Sequence, residues 1–293
     1  MKFEDIKVVS VFGVGIMGHG IAQVMAQQGY NVFLRDVTQE LIEAGLNGIK
    51  KSLQKVVEKG GLSQEQAEET LSRITTTTVI EEAAKIADFI IEAIPEKIEL
   101  KKEFFKQLDG VCKEEAILAT NTSTLSITEI ASVTKRPEKV VGMHFFNPVV
   151  LMRLVEIVKG LLSSDETIEI TRKLVLKMGK EPIIVDDSPG FASSRLGLAQ
   201  YLEASRMLEE GVASIEDIDK GMRLGYGHRM GPFETCDLVG LDARLNNLNA
   251  MYEATRDPLW RPPQLLKRLV MSGYLGRKSG SKGGYYTYFG LEK

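Results

Sequence analysis

Two short stretches of this sequence carry residue types that do chemistry. In the first, Gly13-Val14-Gly15-Ile16-Met17-Gly18 follows a brief apolar run and leads into residues at helical spacing. In that context a glycine pattern cradles the pyrophosphate of a dinucleotide. Gly13 permits a tight turn, Gly15 lets backbone approach the phosphates, and Gly18 lets the helix pack close to the strand. The helix start adds unpaired N–H groups and a partial positive charge. Asp36 closes the next apolar run, where it can accept both hydroxyls of an adenosine ribose and repel a 2′-phosphate, favouring NAD over NADP. Arg35 beside it weakens that preference. The second stretch is GMHFFNPVVLMRLVEIV, residues 142–158, in a chain with only three histidines. His144 and Glu156 interrupt two apolar runs there. Imidazole, with an ordinary pKa around 6.5, exchanges protons near neutral pH, and a neighbouring carboxylate fixes its tautomer. Two adjacent strand ends can bring such a pair together. On residue types alone, a turn histidine and a solvated strand glutamate are the plainer reading.

The elements that must position these residues follow a repeating rhythm. KVVSVFG, NVFLRD, DFIIEAI, AILATN, KVVGMHFF, LVEIVKG and EPIIVDD have the length and apolar character of strands. Helical spacing runs from Val14 to Gly29 and along a lysine-rich segment from Thr38 to Lys59. Strand and helix in alternation predict a doubly wound, mainly parallel sheet of Rossmann type, because crossovers of that length lay helices over the sheet. After DDSPGF the strand signals vanish. FASSRLGLAQYLEASRMLEEG, SIEDIDKGMRLG with Ser214 as its N-cap, LVGLDARLNNLNAMYEA and PPQLLKRLVMSG all read as helices. The expected organisation is a dinucleotide-binding domain over residues 1–187 and an all-helical domain over residues 188–293.

Composition narrows the class further. A chain of 293 residues is long enough for two domains with real cores. Its net charge of -3 argues against a nucleic-acid binder. Cys112 and Cys236 match neither a metal spacing nor a disulfide framework, so no metal is expected and a reducing, cytoplasmic setting fits. No stretch reaches the ~18 apolar residues of a membrane-spanning helix.

Seven motifs then occur in an order that resembles the L-3-hydroxyacyl-CoA dehydrogenases: FGVGIMGHGIA, EAIPE, NTSTLSIT, GMHFFNPV, DSPGF, MGPFETCDLVGLD and GRKSG. The resemblance covers nearly the whole length. It implies an NAD-dependent oxidoreductase of a short-chain 3-hydroxyacyl-CoA, with His144 as acid/base, Glu156 as its partner and Ser123 bonding the reacting oxygen. An N-cap role for Ser123 is a competing reading. Also implied are cofactor contacts from Glu96, Lys101, Ser123, Asn147 and Lys278. Ser52 and Lys59 would contact coenzyme A, although each is equally readable as part of a solvated helix face. A homodimer is implied as well.

One departure concerns the site itself. Residues 190–196 read GFASSRL, so Ser194 stands where the family carries an asparagine that helps hold the reacting carbonyl. Serine is shorter and donates a single hydrogen bond. Arg229 and the irregular GRKSGSKGGYYTY are smaller departures. They leave two rivals open: a dehydrogenase of a free hydroxy acid, and a dinucleotide-binding protein with little turnover.

Overall fold

The chain begins its regular structure with β1 (Val8–Phe12), α1 (Ile16–Gln27), β2 (Asn31–Arg35), α2 (Gln39–Glu58), α3 (Gln64–Ser72), β3 (Ile74–Thr77) and α4 (Ile80–Ala84). It continues with β4 (Phe89–Glu92), α5 (Ile98–Val111), β5 (Ile117–Thr120), α6 (Ile127–Ala131), β6 (Val140–Phe145), β7 (Leu154–Lys159), α7 (Asp165–Lys177) and β8 (Glu181–Asp186). The structure is a computed structural model that describes residues 1–291. It divides into one unit spanning Met1–Ser188 and a second from Pro189 onward.

In the first unit all eight strands form one sheet, in the order β3-β2-β1-β4-β5-β6-β7-β8. Every expected strand is present. β3 is the addition: ITTT is threonine-rich and only partly buried, so it lacks the apolar run that marks its neighbours. All pairings are parallel except β6 with β7. β4 and β5 are buried along their whole length, as strands covered on both faces must be. From β1 the chain moves outward to β2 and β3, then returns to place β4 on β1's other side. Ligands of open parallel sheets collect at the carboxyl ends of strands flanking such a reversal.

The helix α2 shows why its sequence folds as it does. Thr38 caps it by accepting the Leu41 N–H, and Ile42, Gly45, Ile49 and Leu53 recur at helical spacing as its buried stripe. Gly45 lies in that stripe because a side chain there would meet Val14 at 2.8 Å. The glycine lets α2 close on the turn after β1.

The second unit contains α8 (Ser193–Glu209), α9 (Ile215–Tyr226), α10 (Pro232–Val239), α11 (Leu241–Thr255), α12 (Gln264–Met271) and α13 (Tyr285–Tyr288). Leu198, Tyr201, Phe233, Leu248, Trp260 and Tyr285 pack its core. Ser214 caps α9 as expected, accepting the Asp217 N–H. The continuous helix expected from Leu238 onward is broken at Gly240, whose φ of 106° is outside the helical region. Two helices meet there, and α10 and α13 are too short to show a periodic pattern. Buried carboxylates hold both of them. Asp219 accepts the Phe233 and Glu234 N–H groups at 2.9 and 2.8 Å, and Asp237 accepts those of Tyr285 and Tyr286 at 2.7 and 3.1 Å. Burial pushes both carboxyls above the ordinary aspartate range, and these N–H donors pull the other way.

Candidate active site

At the carboxyl ends of β1 and β4 a cleft of about 910 Å3 opens. Its walls include Gly13, Val14, Gly15, Ile16, Asp36 and the Ala93–Pro95 turn. The three glycines serve different ends. Gly13 has φ 95°, and a Cβ on it would lie 2.5 Å from the Ala93 carbonyl oxygen. A Cβ on Gly18 would lie 1.7 Å from the Gly13 oxygen, which explains how closely α1 sits on the turn. Gly15 is the N-cap of α1, and a Cβ there would meet nothing within 4 Å. Protein packing therefore does not require a glycine at 15. The open space at a helix N-terminus is what a pyrophosphate approaching backbone N–H groups needs, and the residues present fit NAD.

A substitution separates these roles. Gly15→Ala is expected to leave the melting temperature within about 2 °C, since surface changes away from packed features cost within about ±0.5 kcal/mol. The same methyl obstructs the cleft and is expected to weaken NADH binding about tenfold, an effect of about 1.4 kcal/mol. Fluorescence titration with NADH and thermal melting measure the two effects side by side.

Asp36 lies at the rim of the cleft. Its Oδ2 accepts the Val14 N–H and its Oδ1 the Val37 N–H, both at 2.7 Å. The carboxylate thus braces the glycine turn at the rim of the cleft. Arg35 also lines the cleft, its Nε donating to the Thr78 carbonyl at 3.1 Å. Asp36→Ser is expected to lower kcat/KM for NADH about tenfold, a charged hydrogen bond contributing about 1.5–3 kcal/mol. The NADH-to-NADPH ratio should fall further, because the repulsion of a 2′-phosphate is removed as well. Steady-state rates with both cofactors check this.

His144 and Glu156 face each other directly across the antiparallel β6–β7 pair. The turn between the strands makes the end of β6 and the start of β7 share one sheet edge, so twelve residues of separation become direct contact. Nδ1 of His144 is 2.6 Å from Oε2 of Glu156, with 8% of the histidine and none of the glutamate exposed. The ring of Phe146 packs against the imidazole with centroids 4.5 Å apart. Glu156 is not a solvated strand residue. A carboxylate withdrawn from water beside Nδ1 favours the tautomer with a proton on that nitrogen.

Between these strands runs the loop that carries Asn147, which is exposed. Sequence reasoning missed the residue that holds this loop. Lys180, 6% exposed, donates its ammonium to the carbonyls of Val149 and Met152. Val149 in turn packs against Gly20 of α1, where a Cβ would be 2.9 Å away. Burial lowers the Lys180 pKa. A lone lysine at a helix-to-strand junction gives no sequence signal of this role.

Another network joins β4 and β5 to the turns that follow them. Glu92 and Lys101 are both fully buried, 2.6 Å apart. The Glu92 carboxylate also accepts from the Thr120 hydroxyl and the Ile94 N–H, at 2.6 and 2.7 Å. Lys101 Nζ lies 3.5 Å from Glu96, whose carboxylate accepts the Thr122 hydroxyl and the Ser123 N–H. Lys101 thus reaches Glu92 and Glu96 from within the protein, with no exposed surface of its own. Glu92, in the quoted EAIPE, had no assigned role; its burial in mid-strand is visible only in three dimensions. Ser123 does not cap a helix. Ser126 caps α6, accepting the Glu129 N–H, and among the described residues the Ser123 hydroxyl has no intramolecular partner.

The other expected site residues are more scattered. Met17 packs against the core, while His19, which was not anticipated, lines the cleft beside Gly48 of α2. Ser52 is partly buried on α2, and Lys59 is the exposed residue that ends the helix. The lysine groove on α2 is formed by Lys50, Lys51, Gln54, Lys55 and Glu58, not by that pair. In the second unit Ser194 is in the first turn of α8 and partly buried. Lys278 pairs there with Asp242 at 2.5 Å. Among the described residues no group of carboxylates, histidines and cysteines is arranged to hold a metal ion.

A mainly parallel sheet with a glycine turn, an aspartate at the cleft rim and a histidine at a strand end, followed by a helical unit, defines a two-domain NAD-dependent dehydrogenase. Two domain families match in succession: 3-hydroxyacyl-CoA dehydrogenase, NAD binding domain, over residues 8–188, and 3-hydroxyacyl-CoA dehydrogenase, C-terminal domain, over residues 190–288. The chain belongs to the 3-hydroxyacyl-CoA dehydrogenase family. It is 45% identical over 284 residues to a probable 3-hydroxybutyryl-CoA dehydrogenase of Bacillus subtilis, covering 97% of this chain and 98% of the relative. It is also 45% identical over 280 residues to the 3-hydroxybutyryl-CoA dehydrogenase of Clostridioides difficile, covering 96% and 99%. The crystal structure of (S)-3-hydroxybutyryl-CoA dehydrogenase from Ralstonia eutropha superposes with a TM-score of 0.91 at 41% identity, covering 94% of this chain and 98% of that one.

Proposed function

We propose that this protein reversibly oxidises a short-chain (3S)-3-hydroxyacyl-CoA at its 3-position, with acetoacetyl-CoA as the substrate in the reducing direction. NAD, when bound, supplies or accepts the hydride. His144 takes the hydroxyl proton in the oxidising direction and returns it in the reducing one. Glu156 holds Nδ1, so the exchange with substrate is assigned to Nε2. Ser123 donates its hydroxyl to the reacting oxygen, and Asn147 bonds on the nicotinamide side. Glu96, fixed by Thr122 and the Ser123 backbone, takes the cofactor ribose, and Lys101 sets the position of Glu96. Lys278 belongs to the same cofactor set, while Ser52 and Lys59 meet coenzyme A. The observation that carries this reading is the 2.6 Å contact between His144 and Glu156. A buried imidazole held by a fully buried carboxylate at a sheet's ligand-binding edge is built for proton transfer.

The same reading pairs two copies through the second unit. Leu224, Tyr226 and Met271 support it, at 77%, 78% and 86% exposed. It also places the enzyme in the cytoplasm, in keeping with two unpaired cysteines. No helix among the described residues is long and apolar enough to cross a membrane.

Oxidation of NADH by acetoacetyl-CoA, followed spectrophotometrically beside free acetoacetate, tests the proposal. The thioester should be reduced and the free acid hardly at all; the reverse order makes the protein a hydroxy-acid dehydrogenase. Ser194→Asn is expected to raise kcat, by up to ~10²-fold if the serine leaves one donor short at the reacting oxygen. Tight NADH binding with no reduction of thioester even in that variant leaves a binding protein only.

A further inference from the structure

Of the side chains that line the cofactor cleft, Arg35 and His19 are the basic ones, and Asp36 and Glu103 the acidic ones. Arg35 closes β2 beside Asp36, with its Nε on the Thr78 carbonyl. His19 stands elsewhere, at the end of the first turn of α1, where its backbone N–H meets the Gly15 carbonyl at 3.1 Å. Its imidazole is partly buried, and among the described residues neither ring nitrogen has a hydrogen-bond partner.

A glycine seats this ring. On α2 a Cβ at Gly48 would lie 3.1 Å from Nε2 of His19, and 3.2 and 3.3 Å from its Cε1 and Cδ2. The outer edge of the imidazole therefore rests on bare helix backbone, and a side chain at 48 would displace it. Glycine in mid-helix weakens the helix relative to alanine; here the room it leaves is filled by the ring. The start of α1 is equally bare. Gly15, its N-cap, makes no side-chain bond, and the first turn holds no acidic residue. Free backbone N–H groups and an unpartnered imidazole thus border one cleft.

A nicotinamide dinucleotide brings one strongly anionic group to that cleft, its diphosphate. An imidazole keeps at least one N–H donor in either protonation state. We infer that His19 donates this N–H to a diphosphate oxygen of the bound dinucleotide, beside the backbone N–H groups of α1, and that Gly48 holds the ring in place to do so. A glycine turn binds diphosphate through backbone alone; His19 adds a side-chain contact that the glycine pattern does not specify. The inference rests on the cofactor cleft and stands whatever acyl group the enzyme takes. Coenzyme A also carries a diphosphate, so the test separates the two sources.

NADH fluorescence, measured without thioester, gives the affinity for NADH and, by displacement, for ADP-ribose and adenosine. His19→Ala should weaken NADH and ADP-ribose about tenfold each, as for a hydrogen bond to a charged group, and leave adenosine, which lacks the diphosphate, within about twofold. His19→Gln keeps a donor and should recover part of the loss. Gly48→Ala should not lower the melting temperature, since alanine favours the helix. It should still weaken NADH at least ~threefold, because a shifted ring misaims its N–H. Combined with His19→Ala, that second effect should vanish, since no ring is left to shift. An unchanged NADH affinity in His19→Ala overturns the contact, and an equal loss on adenosine overturns it in favour of a ring that only packs. A raised KM for acetoacetyl-CoA with NADH affinity intact moves the imidazole to the diphosphate of coenzyme A and overturns the inference too. Additive losses in the double variant overturn the role of Gly48.

Discussion

His144→Ala is expected to lower kcat for acetoacetyl-CoA reduction by ~10²–10⁴-fold, the usual contribution of a positioned acid/base. NADH affinity should change little, because the imidazole is held by the β6–β7 pair and not by the glycine turn. The size of the loss follows from the geometry. The imidazole is nearly withdrawn from water, and Glu156 fixes one ring nitrogen at 2.6 Å. Bulk water cannot reproduce that orientation after the ring is removed. Glu156→Gln provides the companion measurement. The amide keeps the shape but presents no negative charge, so it holds the Nδ1–H less firmly, and kcat should fall at least ~10-fold with NADH affinity unchanged. A histidine serving only to fill space would give His144→Ala a small loss shared evenly between kcat and KM, and Glu156→Gln an unchanged kcat. Stopped-flow single turnovers separate these outcomes and exclude product release as the slow step.

The second large effect is on stability. Lys101→Met should destabilise the first unit by about 3–5 kcal/mol, because it leaves the Glu92 carboxylate fully buried without its cation. The Thr120 hydroxyl and the Ile94 N–H remain as donors, and two neutral donors do not replace a charge 2.6 Å away. The double variant Glu92→Leu with Lys101→Met should recover most of the loss, since apolar replacement of a whole buried pair is often neutral or stabilising. It should still bind NADH less tightly, because Glu96 loses the ammonium that orients it. The only tryptophan, Trp260, lies in the second unit, so its fluorescence follows that unit while far-UV circular dichroism follows both. A urea titration read both ways should therefore show an early loss of helical signal with an unchanged Trp260 transition. Coincident shifts in the two signals would mean that the effect is not confined to the first unit.

Much of this protein was legible before its structure. Apolar runs of strand length marked seven strands of the sheet; β4, β5 and β6 are buried along their whole length, which leaves no polar alternation, whereas β8 is an edge strand with Ile183 and Ile184 exposed. The glycine turn could be read residue by residue, since local backbone geometry dictates its composition. The resemblance supplied His144, Glu156 and Ser123 as a set. Ser194 stood out as a departure on sequence alone.

Other features had no local signature. β3 carries Thr75 and Thr76 where β2 beside it carries Phe33 and Leu34. α10 and α13 are short helices whose starts are capped by Asp219 and Asp237 from distant parts of the chain. Lys180 and Arg244 read as ordinary surface cations, yet both are buried. Lys101 reads as a first-turn charge and lies wholly inside. What the sequence by itself determined is the local material: which segments are strands, where the chain must turn tightly, and which side chains can carry a proton or a charge. Tertiary structure alone decided which of those side chains meet, because contact across a sheet depends on strand order and direction. The antiparallel return of β7 brings Glu156 to His144, and the packing of α2 on α1 lays Gly48 against the ring of His19.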